Sequence, residues 1–194
     1  MTDIADKCDN LFESFSVWSI LLTHQQTTEV TMSTTMFPTL HMAKALGVAV
    51  TRKMEPDGGD TMTIKVGGKK IGSVYHLPYG AGEDFHIGSD AIAELVKGFL
   101  AHGYQNTHPE LFPNPTNELW LLSICAAVIN EGIDLKSIKR KAKKNIMFVM
   151  EGAEDGHYIE VTAPFTPEMK ARVIKQNPPD TRIAYFINDD IADL

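Results

Sequence analysis

Between Val74 and Asp90 the chain gathers two histidines, three carboxylates, two tyrosines and three glycines. Polar and ionisable groups on a loop held by rigid elements are where binding and chemistry usually sit. Asp84 and His86 stand two apart, so on an extended segment both side chains point to one side. His76 is placed to face them across the turn. Three N/O donors of this kind can hold Zn²⁺ or another divalent ion and leave a position open to water. A histidine beside a carboxylate is also the smallest general base with its orienting group. The simpler account is a hydrogen-bonded surface loop whose acids precede a helix N-terminus, where the helix dipole favours them.

The glycines of the same loop invite a phosphate reading, which the neighbouring residues argue against. Gly80-Ala81-Gly82 resembles the start of a glycine-rich cradle, but Glu83 and Asp84 follow at once and repel phosphate. No lysine stands where a P-loop needs one. The chain also lacks a Gly-x-Ser-x-Gly elbow, a His-Glu-x-x-His pair, a Cys-x-x-Cys pair and a Rossmann or Walker signature. The residues therefore call for no cofactor. His76, Asp84 and His86 are the only catalytic or metal-ligating candidates, for a small metal-assisted or acid–base hydrolase.

The sharpest charge feature lies elsewhere. Lys136, Lys139, Arg140, Lys141, Lys143 and Lys144 fall within nine residues and make up a third of the 18 lysines and arginines. On a helix this run forms a basic patch and favours the negative C-terminal end. It suits a nucleic acid, an acidic partner, or acidic parts of the same chain. With 25 acids against the 12 remaining bases, the rest of the chain carries a net charge near −13.

These residues must be positioned by the elements around them. Ile4, Cys8, Leu11, Phe12, Phe15, Trp18 and Leu22 recur at helical steps, with Asp3, Asp6, Asp9 and Glu13 on the other faces. A threonine-rich passage runs from Thr23 to Thr35 and reads as a strand or a connector. Pro38 opens a short helix that Gly47 is placed to cap. Val48–Met54, Thr61–Val66 and Ile71–Leu77 read as strands joined by the turn signals Glu55–Asp60 and Gly67-Gly68. Ile92, Leu95, Val96, Phe99 and Leu100 then give an amphipathic helix, with Ser89 or Asp90 as its N-cap. Residues 102–117 are proline-rich and mark a boundary. The apolar stretch 117–130 predicts a buried helix, and Asp134 is placed to cap another through Lys144. Ile146–Met150 and Tyr158–Thr162 read as a hairpin, Thr166-Pro167-Glu168 as a helix start, and Arg182–Ile187 as a last strand.

The expected fold is α+β: an N-terminal helix, a helix–three-stranded antiparallel sheet–helix unit, then a helical segment with a second small sheet containing a β-hairpin. The corresponding divisions are 1–36, 37–104 and 105–194, the last two able to form one compact domain. In element order alone, residues 38–101 resemble a double-stranded-RNA-binding domain. That family's basic cluster should fall near Ser89–Glu94, where this chain reads Ser-Asp-Ala-Ile-Ala-Glu. Without those lysines the phosphate contact is lost, so the resemblance transfers no binding residue.

Composition narrows the function classes. A chain of 194 residues can bury roughly 70% of its unfolded surface and needs no metal or disulfide to fold. The net charge of −7 opposes a general nucleic-acid coat and anionic membranes. The longest apolar run, Leu119 to Ile129, is too short for a bilayer. Cys8 and Cys125 sit in apolar helical patterns, as small buried side chains in a reducing compartment do. The acidic start lacks the charge of a signal peptide, so a cytoplasmic location is expected. The leading expectation is a small acidic regulatory protein acting through a protein partner, with Glu83, Asp84, Asp189, Asp190 and Asp193 as contacts. Small, motif-poor, methionine-rich acidic chains resemble phage or mobile-element accessory proteins, one form of which inhibits a nucleic-acid-handling protein by occupying its site.

Overall fold

The computed structural model describes residues 35–106, 109–154, 156–177 and 182–194. The expected first helix, Ile4–Leu22, and all but the last residue of the threonine-rich passage lie outside them. The fold is α+β, as the pattern predicts, with two sheets of four and three strands.

Helix α1 (Pro38–Ala45) begins on proline, whose fixed φ suits the first helical position, and ends at Leu46 with Gly47 at φ +64°. Strands β1 (Val48–Met54), β2 (Asp60–Val66), β3 (Lys69–His76) and β4 (Glu83–His86) follow as an antiparallel meander in chain order. The fourth strand departs from the three expected. Glu83–His86 pairs with Ser73–His76, because the turn after Pro78 reverses the chain tightly enough to form a hairpin. Apolar alternation places Met62, Ile64 and Val74 on the face covered by helices.

Helix α2 (Ser89–Ala101) buries Ile92, Val96 and Phe99. Its N-cap is Gly88 with no side-chain cap, so neither Ser89 nor Asp90 holds that position. Asp90 lies in the first turn instead, where the dipole still favours it. Helix α3 (Asn117–Ala142) is one continuous element of 26 residues rather than two. Gly132 costs only about 1 kcal/mol in a helix interior. Burial of Val128 before it and Ile138 after it favours continuity, and Asp134 is interior.

The two ends of α3 serve different cores. Leu121, Leu122, Ile124, Cys125 and Val128 complete the core of the four-stranded sheet with Val74, Val96 and Phe99. Ile138 packs with Phe37, Met147, Ile187 and Ile191. The smaller sheet has the order β6 (Ile159–Val161), β5 (Ile146–Met150), β7 (Ile183–Phe186), all antiparallel. Helix α4 (Pro167–Gln176) starts at Thr166, whose hydroxyl accepts from the Met169 N–H at 3.3 Å. The single turn α5 (Ile187–Asp190) follows β7 directly. Its buried Asn188 accepts from the Met147 N–H at 2.7 Å and donates to the Asn145 carbonyl at 3.0 Å, fastening α5 to β5.

Burial pushes the Cys125 thiol up to about 12. A thiol so far from its reactive thiolate should be inert in the native protein. In a Cys8→Ser variant, a disulfide-exchange reagent at neutral pH should find no reacting thiol until denaturant is added. Prompt reaction would contradict this packing of α3.

Candidate functional site

The strand register divides the predicted triad. Tyr75 pairs with Asp84, Ser73 with His86, and His76 with Glu83. Adjacent residues of a strand point to opposite faces, so Asp84 and His86 share one face, as expected, and His76 projects from the other. Among the described residues, no three His, Cys, Asp or Glu side chains converge to hold a metal ion.

His76 meets Asp60, which belongs to no motif of the sequence. The row Met54, Asp60, His76, Glu83 crosses all four strands at one end of the sheet, on the helix-facing side. Asp60 is 5% exposed, and its Oδ2 accepts from Arg52 Nη2 at 2.5 Å. Its Oδ1 lies 3.4 Å from His76 Nδ1. A buried carboxylate that orients an imidazole is one half of acid–base machinery. Here, however, the guanidinium already neutralises Asp60, and His76 Nε2 is itself buried. The cluster closes the end of the core with charge balanced. The signal for Asp60 was present in the sequence: Asp60, Met62, Ile64 and Val66 alternate on one face, which places the carboxylate on the core side.

The same end of the sheet is acidic outside. The β1–β2 turn carries Glu55 and Asp57, and the β3–β4 turn leads into Glu83 and Asp84. Glu55 accepts from Lys53 at 2.8 Å and from the Thr61 hydroxyl at 2.9 Å, and these bonds lower its pKa. The Tyr75 hydroxyl donates to Asp57. That bond lowers the Asp57 carboxyl and pushes Tyr75 up to about 12, with the charges of Asp57, Glu55 and Asp84 adding to the effect. Gly59 makes the contact available, because a Cβ there would lie 2.8 Å from the Tyr75 ring and 2.6 Å from the His76 carbonyl oxygen.

Tyr79 stands at the tip of the β3–β4 turn. Its side chain is fully exposed, and its φ of 60° makes it the sole non-glycine with positive φ among the described residues. A bulky residue in that region is strained, and such positions cluster at functional sites. Met54, 61% exposed, closes β1 at the same end. The opposite end of the sheet is basic, with Lys65, Lys69 and Lys70 around the Gly67-Gly68 turn.

The acidic tail is engaged within the fold. Asp190 Oδ2 accepts from the Thr35 hydroxyl at 2.8 Å and the Met36 N–H at 3.0 Å, while Oδ1 meets His41 Nε2 at 2.6 Å. Asp189 pairs with Lys170 at 2.5 Å, and the Asp193 carbonyl accepts from Lys44. In the basic run, Lys141 donates to the Tyr158 hydroxyl at 2.8 Å and lies 3.8 Å from Glu160. Lys136, Lys139, Arg140, Lys143 and Lys144 are exposed.

A further carboxylate that the sequence did not flag is Glu131 of α3. It accepts from the N–H groups of Thr39 at 3.1 Å and Leu40 at 2.8 Å, capping α1 from outside the helix. Burial raises its pKa against the pull of those bonds. No family model, curated protein or solved structure matches this chain.

Two predictions follow from these environments. Asp60→Ala, which removes the buried carboxylate that accepts from Arg52, should cost about 2 kcal/mol of unfolding free energy. Asp84→Ala and His86→Ala should each stay within about 0.5 kcal/mol. Equal losses in urea melts would contradict the division of the triad. For Glu131, a raised folded-state pKa means the folded chain binds the extra proton, so its contribution falls as pH rises through that pKa. Relative to Glu131→Gln, the wild type should therefore gain stability as pH drops from neutral toward the carboxylate range. A difference independent of pH would overturn the assignment.

Proposed function

We propose that this chain is a non-catalytic binding protein that acts on a protein partner through the acidic end of its four-stranded sheet. The observation that carries the reading is Tyr79, fully exposed in a strained conformation beside Glu83 and Asp84. Tyrosine is among the residues that dominate binding energy, because it buries a large rigid surface at small entropic cost. Met54 adds apolar area, and the exposed Asp57, Glu83 and Asp84 supply a field that steers a basic surface toward it. Of the five acids expected to contact the partner, Glu83 and Asp84 belong to this surface. The partner class it suits is a protein with a basic face, including one whose face otherwise binds nucleic acid. Inhibition of such a protein is the regulatory form of the proposal.

The test is affinity capture from the native cell extract with wild type, Tyr79→Ala and the double variant Glu83→Lys/Asp84→Lys. The wild type should capture one stoichiometric partner, with affinity falling as salt rises toward physiological levels. Tyr79→Ala should weaken that complex by about 2 kcal/mol, and the charge reversal should slow association. A complex indifferent to salt and to both variants would refute the proposal.

A further inference from the structure

Helices α1, α2 and α3 cover one face of the four-stranded sheet, so Thr63 and Ser73, next to Ile64 and Val74, point to the other. On that face Thr51, Thr63, Ser73 and His86 stand directly opposite one another across all four strands. One step toward the Gly67-Gly68 turn, Lys65 of β2 faces Lys70 of β3. An uninterrupted ladder would put Ile71 there instead, since Ile64 pairs with Gly72. The register shifts between Ile64 and Lys65, and a bulge of this kind re-aims a side chain. Here it turns a second lysine onto the face.

The fold leaves the needs of this group unmet. Like charges directly opposite each other destabilise a ladder, and no acid pairs with Lys65 or Lys70 among the described residues. Ser73 is 6% exposed, yet neither its hydroxyl nor that of Thr63 makes a hydrogen bond among the described residues. A buried hydroxyl without a partner costs stability until something fills that role. The two lysines and the two hydroxyl residues spring from the corners of a rectangle about 5 by 7 Å. All four can donate and none carries negative charge, which is the complement of a tetrahedral oxyanion.

We propose that these four side chains bind a phosphate of a single-stranded nucleic acid laid across the basic half of the sheet face. A phosphate supplies charge to both lysines and acceptors to both hydroxyls at once. A sheet face is a surface rather than a cleft, so it suits a polymer better than a free small molecule. Lys69, exposed beside the turn, and His86, exposed at the end of the hydroxyl row, extend the donors to neighbouring phosphates. Asp84, one row further, and Asp57 bar the strand from the acidic half, which stays with the protein partner. No side chain of the group is fixed against a base edge, so the site takes no sequence preference. The net charge of −7 holds the affinity in the non-specific range, roughly 10⁻⁴–10⁻⁶ M at physiological salt.

Fluorescence anisotropy of a labelled oligothymidylate, titrated with the full chain at several salt concentrations, tests this. Binding should saturate and weaken with salt, with a log–log slope of about −2 for three engaged phosphates. Lys65→Gln/Lys70→Gln should lower the affinity at least roughly ten-fold and flatten the slope. Ser73→Ala should lower it roughly five-fold and leave the slope unchanged, because the hydroxyl carries no charge. Lys143→Gln/Lys144→Gln, on the basic run of α3, is the control and should bind as the wild type does. Circular dichroism checks that each variant keeps the fold. No binding, or equal losses from the two lysine pairs, would overturn the proposal. So would binding of inorganic phosphate without binding of the oligonucleotide, which would assign the site to a small ligand.

Discussion

Two carboxylates from distant parts of the chain hold the start of α1, and the relation between the two cores depends on them. The first N–H groups of a helix have no partner within it. Glu131 satisfies those of Thr39 and Leu40, while Asp190 holds Thr35, Met36 and His41. Glu131 belongs to the helix that spans both cores, and Asp190 to the turn that closes the second sheet. Phe37, between them, is buried in the second core, and Ala43, two turns along, in the first. The helix is thus a short bar fixed at one end by charge and along its length by packing. The four-stranded sheet that α1 and α3 support inherits its position from that arrangement.

This constraint sorts the acidic residues by what they can do. Carboxylates that cap a helix, or that meet a guanidinium from inside the core, are engaged within the fold, and replacing them acts on stability. Asp60, Glu131 and Asp190 are of that kind. Asp57, Glu83 and Asp84, at the β1–β2 and β3–β4 turns, are exposed, and their effect on a partner is long-range attraction. The sheet also separates charge along its strands, with acids at one end and Lys65, Lys69 and Lys70 at the other. A partner meeting such a surface is oriented as well as attracted.

Much of the fold was legible because it follows local rules. Apolar runs and turn signals located six of the seven strands among the described residues, Pro38 and Thr166 marked helix starts, and Gly67-Gly68 marked a turn. The fourth strand was missed because Glu83–His86 carries little apolar alternation, and its pairing depends on the turn rather than on burial. The break expected near Asp134 failed because two cores pull one helix straight through Gly132. The site was less legible for a related reason. Spacing within the loop correctly placed Asp84 and His86 on one side, but the side taken by His76 depends on the hairpin register. Asp60 could have been found by carrying the alternation of Met62 and Ile64 one step back. Nothing local marked Glu131 or Asp190 as caps, since their partners lie 91 and 154 residues away. Nor does composition reveal that Tyr79 adopts a positive φ.

The surface that the partner covers decides whether the acidic sheet end is the binding site. Hydrogen–deuterium exchange of the protein alone and in its captured complex measures this directly. Slowed exchange confined to residues 55–60 and 77–86 is the predicted result. Protection centred instead on the exposed side of α3 or on the Asp189–Asp193 tail, with the sheet end unchanged, would contradict it.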